Sequence, residues 1–86
     1  MENVITYDFG NAVKDLKVGF KVRRQGWNGK GMWLILIKDW TVHSRYTDDV
    51  VGLLPQEFIA MRTADGNFVP WQPSQTDVLA TDWERV

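Results

Sequence analysis

Met32-Trp33-Leu34-Ile35-Leu36-Ile37 is an unbroken apolar run between a glycine-rich stretch and the polar pair Lys38-Asp39. Read as a strand, it puts Met32, Leu34 and Leu36 on one face and Trp33, Ile35 and Ile37 on the other. A strand that is apolar on both faces has to be covered on both. The chain has 86 residues, enough for one domain spanning 1–86. A domain of this size buries only about two-thirds of its unfolded surface. One helix can cover one face of the strand. The other cover comes from the rest of the chain or from a second copy, and the short length favours the second copy.

The remaining elements follow from periodicity and punctuation. Phe9, Ala12, Val13 and Leu16 repeat at i, i+3, i+4 and i+7, the pattern of one helix face, with Asp8 as its N-cap and Gly19 as its stop. Phe20 to Arg24 alternates and reads as a strand. Phe58–Thr63 and Asn67–Trp71 read as two strands joined at Asp65-Gly66, a hairpin signal, and Pro70 puts the second at an edge. Ser74-x-x-Asp77 resembles a capping box that opens a short helix through Val78, Leu79 and Ala80. Residues 38–57 are harder to read: Trp40, Val42 and His43 suit a short strand, 45–49 are polar, and 50–54 are apolar before Pro55. The expected class is α+β: a small antiparallel sheet with an N-terminal helix and a short C-terminal helix.

Two stretches carry the candidate chemistry. The first, Arg23-Arg24-Gln25-Gly26-Trp27-Asn28-Gly29-Lys30-Gly31, holds more than a chain reversal requires. Its glycines let backbone N–H groups approach a ligand, and Arg24 and Lys30 offer positive charge to phosphates. The second is Val69-Pro70-Trp71-Gln72-Pro73-Ser74-Gln75-Thr76-Asp77. Trp27 and Trp71 either stack on a flat base or plug the core edge. The Ser74 helix start either receives an anion or serves as a simple cap. Asn28, Thr76 and Asp77 have the groups to bond hydroxyls or base edges.

Other chemistries lack their residues. Net charge is −1, with ten cations against eleven anions, unlike the strongly basic domains that bind DNA or RNA. With no cysteine and one histidine, the chain offers neither a disulfide nor a metal constellation. His43 has no acid or nucleophile spaced to assist it, and Asp48-Asp49 reads as a solvated loop, so no catalytic residue is assigned. The glycine stretch matches neither a P-loop nor a dinucleotide fingerprint. The opening residues lack a basic segment and a long apolar run, so no signal peptide or membrane span is expected, nor any cofactor.

Several segments together resemble a known family. They are Asp8-Phe9-x-x-Ala12-x-x-x-Leu16-Lys17-x-Gly19, Gly26-Trp27-Asn28-Gly29-Lys30-Gly31, Met61-Arg62-Thr63-Ala64-Asp65-Gly66, and Pro70-Trp71-x-Pro73-Ser74-Gln75-Thr76-Asp77-x-Leu79-Ala80-x-Asp82-Trp83. The sequence resembles the second type of phage anti-Thoeris protein over nearly its whole length, residues 38–57 excepted. The resemblance implies a "sponge" that sequesters the cyclic ADP-ribose isomer made from NAD by a bacterial TIR-domain enzyme, with cyclic oligonucleotides as further ligands of some members. It also implies a homo-oligomer, commonly a tetramer, with pockets between protomers, acting in the host bacterial cytoplasm. The ligand-binding set expected on this basis is Arg24, Trp27, Asn28, Lys30, Trp71, Ser74, Thr76 and Asp77. Two other readings compete: a small enzyme that degrades the same signal, and an interaction module with no small ligand.

Overall fold

The computed structural model describes residues 5–27, 31–43 and 50–86. The elements are α1 (Phe9–Val18), β1 (Val22–Arg24), β2 (Trp33–Ile37), β3 (Trp40–His43), β4 (Val50–Leu54), β5 (Phe58–Arg62), β6 (Phe68–Pro70), α2 (Gln75–Leu79) and β7 (Trp83–Arg85). Five strands form an antiparallel sheet in the order β6-β5-β2-β1-β7, and β3 and β4 pair in a separate two-stranded sheet. This is the expected α+β class.

Local chemistry sets the ends of α1. The Asp8 carboxylate accepts the N–H of Asn11 at the start. At the end Gly19 turns left-handed, with φ +109°, which a side chain would oppose. Its N–H donates to the Leu16 carbonyl at 3.0 Å, and that of Phe20 donates to the Asp15 carbonyl at 3.0 Å. This Schellman arrangement explains why β1 starts at Val22 and not at Phe20 as predicted: the Phe20 amide belongs to the helix cap.

Register decides which side chains share a face. Val22 lies opposite Leu34, Leu34 opposite Met61, Leu36 opposite Ile59, and Arg24 opposite Trp83. Ala12 and Leu16 of α1 close over this face, and with Val22, Leu34 and Trp83 they form the buried core. Fully burying a side chain of the Leu or Val kind contributes about 1.5–3 kcal/mol, so these few positions dominate stability. The opposite face carries the rungs Trp33–Arg62–Phe68, Ile35–Ala60–Pro70 and Ile37–Phe58. Both helices pack on the first face. The predicted two-sided apolar strand is therefore helix-covered on one side, while Phe68 on the other is 56% exposed.

Three features depart from the predicted layout. β7 was not expected. It adds to the β1 edge, and Tyr7 shields it in turn, its N–H donating to the Trp83 carbonyl at 2.9 Å and its carbonyl accepting from Trp83 at 3.1 Å. The β5–β6 connection is longer than the two-residue turn suggested by Asp65-Gly66. Thr63 N–H donates to Asn67 O, Gly66 N–H donates to Thr63 O, and Gly66 sits at φ +90°. That is a three-residue loop closed by a left-handed glycine, with Asp65 accepting from Thr63 and Asn67 side chains. The third is a separate sheet within 38–57: the strand expected at 40–43 forms as read, and it pairs with 50–54 apart from the main sheet. Asp48 and Asp49 lie outside the described residues. The radius of gyration is 14.9 Å, against about 12 Å for a compact chain of this length, so the molecule is extended.

Candidate functional site

Trp27 follows β1 and Trp71 follows β6, strands separated in the sheet by β2 and β5, yet their rings meet on the helix side. Their centroids are 6.3 Å apart at an interplanar angle of 63°. The fully buried Trp83 lies against both, 5.5 Å from Trp27 and 6.0 Å from Trp71, nearly perpendicular to each. Phe9 of α1 completes the group at 5.4 Å from Trp83. Tilted and edge-on contacts suit the ring quadrupoles, and each adds about 0.5–1.5 kcal/mol beyond burial. Trp27 and Trp71 are half-buried. They plug the core edge and also leave part of each indole at the surface. Their mutual tilt precludes a base sandwiched between them and leaves stacking on one indole.

Beside this wall the charges are paired. Arg24 Nε donates to Asp82 at 2.9 Å and Nη1 to Asp77 at 3.0 Å. The Arg24 guanidinium holds the Asp82 carboxyl below its usual value. For Asp77, burial pushes the carboxyl up, but the Ser74 N–H and Arg24 outweigh it and the net direction is down. Ser74 and Asp77 form the predicted capping box: the Asp77 N–H donates to Ser74 Oγ at 3.1 Å, and the Ser74 N–H donates to Asp77 Oδ2 at 2.9 Å. Arg24, Ser74 and Asp77 thus hold one another. Thr76 is exposed. Asn28 and Lys30 lie outside the described residues.

The flanks of the glycine-rich turn are tied to neighbouring strands. The Gly26 N–H donates to Asp82 Oδ2 at 2.9 Å, and Arg62 Nη1 donates to the Gly31 carbonyl at 2.7 Å. Asp82 and Arg62 stand in the segments that carry the family resemblance, but neither was assigned a site role from sequence. The available signal was charge complementarity: Arg23-Arg24 faces Asp82-x-Glu84 across the β1–β7 pair, and Arg23 bonds Glu84 at 2.8 Å. Reading it required knowing that β7 exists.

A separate apolar cavity of about 230 Å³ lies at Ile37, Phe58, Ala60, Phe68, Val69 and Pro70. It contains none of the predicted site residues. It is below the roughly 300–1,000 Å³ of small-molecule sites and has no group for a phosphate. Among the described residues no acidic, histidine or cysteine cluster could hold a metal ion. Nor is any described helix long and apolar enough to cross a membrane.

Fold and site together define a small α+β protein whose sheet presents, on its helix side, an aromatic wall bordered by a paired-charge network and a glycine-rich turn. Residues 7–86 match the Thoeris anti-defense 2-like domain, and the chain belongs to that family. It is 41% identical to Thoeris anti-defense 2 of Bacillus phage SP01, over 91% of this chain and 92% of that protein.

Proposed function

We propose that this protein blocks Thoeris immunity by binding and sequestering a cyclic ADP-ribose isomer that a TIR-domain enzyme makes from NAD, without chemical change to it. The observation that carries the reading is the meeting of Trp27 and Trp71 beside the glycine-rich turn. It leaves part of each indole at the surface, where a flat base can stack. Family membership gives the direction of the activity. The base stacks on the exposed part of Trp27 or Trp71. Lys30, Asn28 and Thr76 supply the groups for the phosphates and riboses, while Arg24, Ser74 and Asp77 brace one another beside the wall.

The working form is a homo-oligomer, a tetramer by family resemblance, with the ligand held between protomers. Two findings favour this: the extended shape and the sheet face opposite the helices, where Phe68 is 56% exposed. The place of action is the host bacterial cytoplasm, where the signal is made. Cyclic oligonucleotides are a second ligand class of the same reading.

The test is incubation with the purified cyclic ADP-ribose isomer, removal of unbound material, heat release and chromatography. Intact ligand supports sequestration, cleaved ligand means catalysis, and no retained ligand means an interaction module. In parallel, Trp27→Ala is expected to weaken binding by about 5- to 150-fold, the range of one base–aromatic stack. An unchanged affinity with fold and oligomer intact would reduce Trp27 to a core plug.

A further inference from the structure

The β1–β2 hairpin is held by little of its own ladder: the register between these strands is the single pair Val22 and Leu34. Its glycine-rich turn is instead gripped from the two flanking strands. On the β7 side, Asp82 Oδ2 accepts the Gly26 N–H at 2.9 Å, while its Oδ1 is fixed by Arg24 Nε at 2.9 Å. The Gln25 N–H adds a bond to the Asp82 carbonyl at 3.0 Å. On the β5 side, Arg62 Nη1 donates to the Gly31 carbonyl at 2.7 Å. Both approaches are close, and Gly31 is in addition left-handed at φ +79°. A Cβ at Gly26 would meet Asp82 Oδ2 at 3.1 Å, and one at Gly31 would meet Arg62 Nη1 at 2.9 Å.

We infer that Asp82 and Arg62 are positioning residues for ligand binding: Asp82 clamps the Gly26 amide and so fixes Trp27 against the aromatic wall, and Arg62 clamps the Gly31 carbonyl. This rests on the sequestration reading. Trp27 is the residue after Gly26, and its own N–H returns to the Arg24 carbonyl at 3.3 Å. Releasing the Gly26 amide would therefore let the indole depart from Trp71 and Trp83 without opening the core under α1. Neither clamp touches the ligand; each acts through the backbone it holds.

The test measures affinity for the purified cyclic ADP-ribose isomer by calorimetry, together with melting temperature and amide hydrogen exchange, in wild type, Asp82→Ala, Arg62→Met and Arg62→Lys. Asp82→Ala and Arg62→Met should each weaken binding by about 10-fold, the equivalent of one charge-assisted hydrogen bond. Arg62→Lys, which keeps a cationic donor, should recover most of that loss. Exchange should rise at Gly26 in Asp82→Ala while Val22 and Leu34 stay protected. Wild-type affinity in both Asp82→Ala and Arg62→Met overturns the inference and leaves the sequestration reading standing. So does an affinity loss that only tracks melting temperature and core exchange. If the wild type binds no cyclic ADP-ribose isomer, the sequestration reading falls and exchange decides the clamp: selective loss at Gly26 sustains it, uniform or absent loss overturns it.

Discussion

The indole N–H of Trp83 donates to the main-chain carbonyl of Asp77 at 2.9 Å. A buried tryptophan of β7 is thereby bonded to the short helix whose cap residue Asp77 also pairs with Arg24. Trp83 thus ties the core to the helix that carries the Asp77–Arg24 pair. Trp83→Phe keeps an aromatic ring but removes the donor and part of the volume. It is expected to cost about 2–4 kcal/mol, combining a lost hydrogen bond with a partial cavity. Chemical denaturation of the variant checks this; a loss under about 1 kcal/mol would mean that the bond and the packing are dispensable.

Tyr7 gives the fold an alkaline limit. Burial, reinforced by its hydrogen bond to Asp15, pushes the phenol from 10.0 up to about 12. The folded state thus prefers the neutral phenol. That stability is fully present below pH 10 and is lost as pH rises through about 12. Asp15 has the opposite sense: the Arg85 and Tyr7 hydrogen bonds hold its carboxyl below 3.8, so its contribution is present above that value and disappears in acid. Tyr7→Phe should lower stability at neutral pH by about 1–2 kcal/mol and remove that part of the wild-type decline between pH 10 and 12. Thermal melts across this range compare the two slopes. Equal slopes would show that Tyr7 is not the titrating group.

What could be read from sequence follows the range of the forces involved. α1 was legible with both ends because its cap, apolar face and glycine stop are local in the chain. The Ser74–Asp77 cap was legible for the same reason. β7 was not: Trp83-Glu84-Arg85 has no period of its own and becomes a strand only because β1 offers an edge. The role of Arg24 was obscured with it, since its partners Asp77 and Asp82 lie more than fifty residues away. Trp27 and Trp71 were marked as stack or plug from sequence. The fold brings them together but gives each a share of the core, which local pattern cannot express.

The face of the sheet opposite α1 predicts the assembly. Ile35 stands there between β1 and β5, with Ala60 and Pro70 on the same rung. Trp33 and Phe68 meet beside it at 5.6 Å, and Lys21 covers Trp33 at 4.5 Å. If a second copy lies on this face, Ile35→Asp places a charge in the interface, where an uncompensated buried charge costs about 3–5 kcal/mol. Light scattering should then show several protomers for wild type and a folded monomer for the variant. A wild-type monomer, or a variant that stays assembled, would move the interface elsewhere.

Gly31 and Arg62 should be energetically coupled. Gly31 is left-handed at φ +79°, and a Cβ there would lie 2.9 Å from Arg62 Nη1. Gly31→Ala therefore carries two costs. The backbone penalty of about 1–2 kcal/mol for an L-residue in this region is local and cannot be relieved by a neighbour. The steric part can be, because the guanidinium is the far end of a flexible side chain; its withdrawal sacrifices the 2.7 Å bond to the Gly31 carbonyl. In an Arg62→Met background both the collision and the bond are already gone. Gly31→Ala should thus be less destabilising there, with a coupling energy of about 0.5–1.5 kcal/mol in a double-mutant cycle. Denaturant unfolding of the four proteins gives the number. Strict additivity would mean that Arg62 does not hold Gly31, and the clamp on that flank of the turn would have to be abandoned.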